Sequence, residues 1–244
     1  MEQIQIPVMG FETIGCDPKA NIYEKQAAGY LLLKRCFDFV ASLFVSIVLL
    51  VPMAMIALLI MFKDAGNPFY MQTRVGQNGE KFTLLKFRSM CRNADDLEKM
   101  LTPEHLARYK KEYKLDDDPR LIGYRKPGDG KTCFGAVIRR TSLDELPQIL
   151  WNVCIKGNMS LVGPRPILPE ELAQNYTPEE QKLLLSVKPG LTGYWQAYAR
   201  NTVGYEDHRR QDMELYYVKN ACVMLDIKIL LQTVIAVVKQ TGAL

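Results

Sequence analysis

The chain has 244 residues, 48% hydrophobic and 24% charged, which excludes both a disulfide-stapled miniature scaffold and an intrinsically disordered chain. Its 31 Lys and Arg against 27 Asp and Glu give a net charge of +4, too small an excess to argue for nucleic acid as a partner. Six cysteines scattered singly, with no C-x-x-C pair and only two histidines to help them, argue against a zinc site or a disulfide framework and predict reducing cytoplasm around the globular part.

Residues 1–33 form an N-terminal extension whose start, MEQIQIPVMGFE, lacks the basic and apolar regions of a signal peptide. From Phe39 to Phe62 run 24 residues without a charge, FVASLFVSIVLLVPMAMIALLIMF. As a helix this segment is about 36 Å long, enough for the hydrocarbon core of a bilayer. Pro52 removes a backbone hydrogen bond near its middle and favours a bend into arms of about 18 and 15 Å. Lys34 and Arg35 before the segment, and Lys63, Arg74, Lys81, Lys86 and Arg88 after it, leave neither end marked as outside. Two topologies therefore stay open for 34–63: a kinked spanning helix, and a re-entrant hairpin whose ends share one face.

Residues 64–244 read as a mainly helical α+β domain associated with the membrane. Phe69 and Tyr70, then Phe82, Leu84, Leu85 and Phe87, flank a turn at Gly76 to Gly79 and predict a small β-hairpin. Between Lys63 and Arg92 there are six basic residues against Asp64 and Glu80, so the whole positive excess is local to this region. Asp95 to Tyr113 is charged and helix-prone, and LDDDPRLIGYRKPGDGKT is dense in turn residues and reads as surface. A helix is expected within TSLDELPQILWNV, another at Thr177 with a Thr177–Glu180 capping box, and further helices over about 205–219 and 225–239. The last has a wide apolar stripe that reads as packing against the core, with an amphipathic interfacial helix as the alternative.

The densest polar cluster is IRRTSLDELPQ at 138–148, where Asp144 and Glu145 follow Arg139 and Arg140. On a helix adjacent acids lie about 100° apart, so one can act as nucleophile while the other holds a divalent metal or handles a proton. The stretch read alone is a helix cap, since Ser142 to Glu145 fits S-x-x-E and Asp144 is a good N-cap. Arginines stand beside rigid turns: Arg165 within Gly163-Pro164-Arg165-Pro166, Arg200 after Trp195 and Tyr198, and Arg88 in Lys86-Phe87-Arg88. Guanidinium groups on stiff backbone suit phosphate oxygens. With a membrane segment and a carboxylate pair, they point to an enzyme acting on phosphorylated substrates, one of them lipid-linked.

These residues occur within a longer series: Lys34-Arg35-Cys36-Phe37-Asp38, Gln72 to Gly76, Lys86 to Met90, Asp118-Pro119-Arg120, Thr141 to Gln148, Asn152-Val153, Lys156 to Ser160, Gly163 to Pro166, Lys188 to Gly193 and Gln196. In that order they resemble the bacterial sugar transferases that are monotopic polyprenyl-phosphate phosphoglycosyl transferases, over nearly the whole chain from about Lys34. The resemblance implies a re-entrant hairpin over 34–63, and a catalytic domain over 64–244 on the cytoplasmic face of the bacterial inner membrane. It implies transfer of a phosphosugar from a UDP-sugar to polyprenyl phosphate with Mg²⁺, releasing UMP. Residue by residue, it makes Asp144 the covalent nucleophile and Glu145 its metal-binding or proton-handling partner. It also makes Arg139 a phosphate contact, with Lys81, Arg88, Arg165 and Arg200 as further phosphate or nucleotide contacts. The chain departs from the family at Val51-Pro52, where Ser-Pro is frequent, and at the insertion-like segment 123–132. Sugar identity and any homo-oligomer stay open. The rivals are a membrane-anchored scaffold releasing no nucleotide, and a glycosyltransferase extending a lipid-linked sugar with release of UDP.

Overall fold

The computed structural model describes residues 28–112, 115, 118–124, 133–200, 203–205 and 207–238. Its first element, α1 (Ala28–Lys63), is a helix of 36 residues with Pro52 inside it. The helix runs through Pro52 without interruption, so the expected bend is not a break in helical structure. One narrow face is buried at Asp38, Ser42, Ser46, Met53 and Ile60, whose steps of four and seven keep them on one side. Phe39, Val40, Phe44, Ile47, Val51 and Phe62 are among the many large apolar side chains exposed around the rest.

Both ends of α1 are fastened to the same globular body. Near the start, Lys34 pairs with Asp226 at 2.7 Å, Arg35 donates to the Val153 carbonyl at 2.9 Å, and Asp38 accepts from the Leu161 amide at 3.0 Å. Near the end, Met53 and Ile60 pack with Phe87, Ile122 and Ile138, and Asp64 just beyond the helix pairs with Arg88.

The expected hairpin is present: β1 (Phe69–Val75) and β2 (Lys81–Phe87) pair antiparallel, Val75 opposite Lys81 and Phe69 opposite Phe87. Helices α2 (Leu97–Met100) and α3 (Pro103–Glu112) divide the expected 95–113 helix before Pro103. The next stretch corrects the surface reading, because Leu115, Asp118, Arg120, Leu121 and Ile122 are all buried. Asp118 and Arg120 neutralise each other at 2.7 Å, which lets two charges enter the interior, and Leu121 bridges to Met90. Segment 125–132 lies outside the described residues.

After α4 (Phe134–Arg140), the chain forms a 3₁₀ turn at Leu143–Glu145, a short α5 (Leu146–Gln148) and a π-helical turn at Ile149–Ile155. Then come β3 (Ser160–Val162), α6 (Pro169–Asn175), α7 (Pro178–Leu184), β4 (Gly190–Thr192) and α8 (Tyr194–Tyr198). The Thr177–Glu180 capping box is formed as expected. The two rigid turns lie side by side because β3 and β4 pair in parallel. A Cβ on Gly190 would lie 2.0 Å from the Gly163 nitrogen, so only glycine permits this approach.

Helices α9 (Arg209–Asn220) and α10 (Val223–Val238) close the main core, with Leu215, Tyr217, Val218, Leu225 and Ile229 among its buried residues. The core-packing reading of the last helix holds for one of its faces. Leu225 and Ile229 pack inward, while Val223, Ile227, Leu231, Val234 and Ile235 remain exposed. Cys36, Cys91, Cys133 and Cys154 are free thiols.

Candidate active site

Asp144 and Glu145 stand on the 3₁₀ turn that Ser142 begins in a left-handed conformation, φ 55° and ψ 20°. For serine this costs roughly 1–3 kcal/mol and persists only where the surroundings hold it. The structure corrects the cap reading, because no side-chain cap bond forms at Ser142 or at Glu145. The Ser142 hydroxyl instead accepts from the Arg200 guanidinium at 3.1 Å. The helix-capping role that competed with chemistry at these residues is therefore unfilled.

Asn152 holds this region against the hairpin. Fully buried, it donates to the Thr83 carbonyl at 2.8 Å and accepts from the Leu85 amide at 3.1 Å. The fastening brings the next residue of β2, Lys86, within 3.3 Å of Glu145. Lys86 was not among the expected contacts. Its place in the strand was the available signal, since it shares a face with Phe82 and Leu84 and is a cation on the inward side of an amphipathic strand.

The pair is split electrostatically. Burial pushes the Asp144 carboxyl up to about 6, Lys86 opposes this, the neighbouring Glu145 charge adds to it, and Arg139 and Arg200 oppose it further. Burial also acts upward on Glu145, but Lys86, Arg200 and Arg165 together outweigh it and hold that carboxyl below its ordinary value. Glu145 is therefore firmly ionised at neutral pH. Asp144 is mostly ionised there yet protonates with mild acid. Among the described residues, no hydrogen bond or ion pair engages the Asp144 carboxylate.

Asp144, Glu145, Arg139, Arg165 and Arg200 are thus brought together. Two expected contacts are not. Lys81 is exposed at the turn end of β2, five residues from Lys86 and so roughly 17 Å along the strand. Arg88 is committed to Asp64 and to the carbonyls of Asp64 and Asn67, where it fastens the hairpin to the end of α1.

Two clefts meet at Glu145. The first is small and polar, lined by Arg74, Lys86, Gln148, Arg165 and Gln196 among others. Arg74 Nε, Gln148 Nε2 and Gln196 Oε1 are buried here without a protein partner, as expected where a polar ligand completes the bonding. The second, of about 340 Å³, extends from Arg140, Ser142 and Arg200 towards Leu161, Leu230 and Val234. Behind the polar cleft, buried Glu214 accepts from the Arg165 amide at 3.0 Å and fixes the Gly163–Pro166 turn. Arg210 lies between Trp195 and Tyr205 at 4.1 and 3.9 Å from the ring centroids.

Among the described residues no cluster of three or more His, Cys, Asp or Glu could cage a metal ion. Two adjacent carboxylates, one held ionised, nevertheless fit Mg²⁺, which commonly takes one or two carboxylates and completes its shell with water and substrate phosphate.

The sequence profile described as bacterial sugar transferase matches residues 29–240. The chain is 44% identical over 214 residues to the UDP-galactose-lipid carrier transferase of Erwinia amylovora, covering 86% of this chain and 41% of that protein. It is 40% identical over 214 residues to the undecaprenyl-phosphate galactose phosphotransferase of Salmonella typhimurium, again covering 86% of this chain and 41% of the other. The chain thus spans about two fifths of the length of these two relatives. With the exopolysaccharide production protein ExoY of Rhizobium meliloti it shares 37% identity over 216 residues, 87% of this chain and 88% of that one. A match over residues 29–240, nearly the whole described chain, places this protein in the bacterial sugar transferase family.

Proposed function

We propose that this chain transfers a phosphosugar from a UDP-sugar to polyprenyl phosphate at a membrane surface, through a covalent intermediate on Asp144. The observation that carries the reading is a buried carboxylate with no hydrogen-bond partner among the described residues, beside an ionised carboxylate and within reach of three cations, Lys86, Arg139 and Arg200. An Asp144 oxygen attacks the phosphorus next to the sugar. The bond from that phosphorus to the bridging oxygen breaks, and UMP leaves with the electron pair. The polyprenyl phosphate oxygen then attacks the same phosphorus and the Asp144 carboxylate is released. Arg139, Lys86 and Arg200 oppose the repulsion between a carboxylate and a phosphate diester and neutralise charge developing on the equatorial oxygens. Arg165, held by Glu214, faces the polar cleft where the nucleotide diphosphate fits.

Asp144 and Glu145 would hold Mg²⁺, which when bound supplies further charge neutralisation at the diphosphate. Glu145, kept ionised by Lys86, serves that role better than proton donation. Two relatives carry galactose in their names, which makes UDP-galactose the first donor to test.

The same reading places the protein on the cytoplasmic face of a bacterial membrane, with 34–63 as a re-entrant element. Large apolar side chains exposed on α1 each gain roughly 1.5–3 kcal/mol on leaving water. Support for re-entry comes from the fastenings at Lys34, Arg35 and Asp38 and at Ile60 and Asp64, which tie both ends of α1 to one globular body. A spanning helix would separate its ends by the thickness of the bilayer.

The test is a panel of UDP-sugars with Mg²⁺, with and without undecaprenyl phosphate. UMP release and a phosphosugar adduct on Asp144 in the absence of acceptor are expected. Asp144→Asn is expected to lose the adduct and more than about 10³-fold of turnover while remaining folded. Release of UDP, absence of any nucleotide product, or retained activity in Asp144→Asn overturns the assignment.

A further inference from the structure

The 340 Å³ groove has a chemistry unlike that of its neighbour across Glu145. Its walls come from Leu146, Ile149, Leu161, Leu191, Leu230 and Val234. Of its polar side chains, Thr192 and Thr233 consume each other, Thr141 donates to the Val137 carbonyl at 2.7 Å, and Gln196 is shared with the polar cleft. The Thr233 hydroxyl donates to the Ile229 carbonyl at 2.8 Å, which leaves Thr192 to donate to Thr233 at 2.7 Å. The interior therefore offers little to the hydroxyls of a sugar or the edges of a base, whose burial without partners is costly. Its size suits a small apolar ligand or chain segment.

The groove has its charged side chains, Arg140, Glu145 and Arg200, gathered at one end about Ser142. At the other it meets the exposed apolar face of α10, with Leu231 60% and Val234 61% exposed. An occupant with one anionic head and a long hydrocarbon body matches this polarity. A nucleotide sugar, polar throughout, matches the cleft with the unpartnered Arg74, Gln148 and Gln196 atoms.

We propose that this groove binds the first prenyl units of the lipid phosphate, with the phosphate at Arg140 and Arg200 and the chain leaving along α10. The two substrates are thereby sorted to opposite sides of Glu145, one by the unpartnered Arg74 and Gln148 atoms and one by a mainly apolar wall. This rests on the phosphosugar transfer proposed above. It adds that residues of α10 set the selection of the acceptor and not of the donor.

Val234→Trp fills the groove from an exposed position, and Ile235→Trp, one residue along on the same helix, adds equal bulk outside the groove lining. With the donor that the UDP-sugar panel identifies, Val234→Trp is expected to raise the KM for undecaprenyl phosphate at least tenfold. Its acceptor-free burst of UMP should stay within twofold of the parent, and Ile235→Trp should change neither. A farnesyl phosphate carrying a photoreactive group near its phosphate end should crosslink to 230–236, mapped by mass spectrometry, and Val234→Trp should abolish this.

An unchanged acceptor KM, a burst that falls in step with turnover, or crosslinks confined to other segments overturns the proposal. Crosslinking needs no turnover. Crosslinks at 230–236 with no UMP from any donor would sink the transfer reaction while leaving the lipid groove standing.

Discussion

At Asp144, burial and attack make opposite demands on a single carboxyl. Burial favours the neutral form and lifts it from 3.8 to about 6, with Lys86 the leading cation that limits the rise. The proposed nucleophile, Asp144, must be ionised, so turnover should fall with acid along a limb centred near pH 6, about tenfold for each further pH unit. Lys86→Met removes the leading opposing charge, so the limb should move upward. A move of about one pH unit costs roughly tenfold on that limb, and a pH–rate profile of the two proteins decides it. The linkage to stability has the opposite sense. Because the folded value is raised, folding favours protonated Asp144 at low pH, and that advantage is lost as pH rises through about 6. The ionised residue then costs on the order of 2–3 kcal/mol. Asp144→Asn should therefore raise the melting temperature by several degrees at pH 7.5. The gain should disappear near pH 4, and an unchanged melting temperature at pH 7.5 would contradict the burial argument.

At the level of elements, the sequence was legible where structure is decided locally. The β1–β2 hairpin follows from alternation and its glycine turn, and α7 from a capping box complete within four residues. It misled where a distant partner decides. Ser142 to Glu145 has the spacing of a cap, but Arg200, 58 positions away, takes the serine hydroxyl and the backbone turns left-handed. The Asp118–Arg120 segment looks like surface until the two charges are seen to cancel inside the protein. Arg88 and Lys86 look equivalent in Lys86-Phe87-Arg88, yet only Asp64 and Glu145, supplied from elsewhere, distinguish a fastening from a site residue. The carboxylate pair itself was legible, and its separation into one ionised and one raised group was not. For α1, cysteines introduced near positions 34 and 64, leaving Lys34 and Asp64 in place, should both react with an impermeant reagent from one side in oriented vesicles. Reaction from opposite sides would mean that the helix spans the bilayer.

At the scale of the whole molecule, the apolar surfaces of α1 and α10 are joined by one buried node. The Asp226 carboxylate receives Lys34 at 2.7 Å and the hydroxyls of Tyr30 at 3.0 Å and Tyr217 at 2.8 Å. The same globular body carries Asp144 on a turn held rigidly by Asn152 and Arg200. If α1 and α10 are seated in a bilayer, as the proposed reaction requires, the height of Asp144 above the lipid is fixed by the fold and not by the depth at which the protein floats. What remains free is travel in the plane. The encounter with the proposed lipid-borne acceptor would then be a search over an area, its frequency following the mole fraction of that lipid in the membrane and indifferent to the volume of water around it.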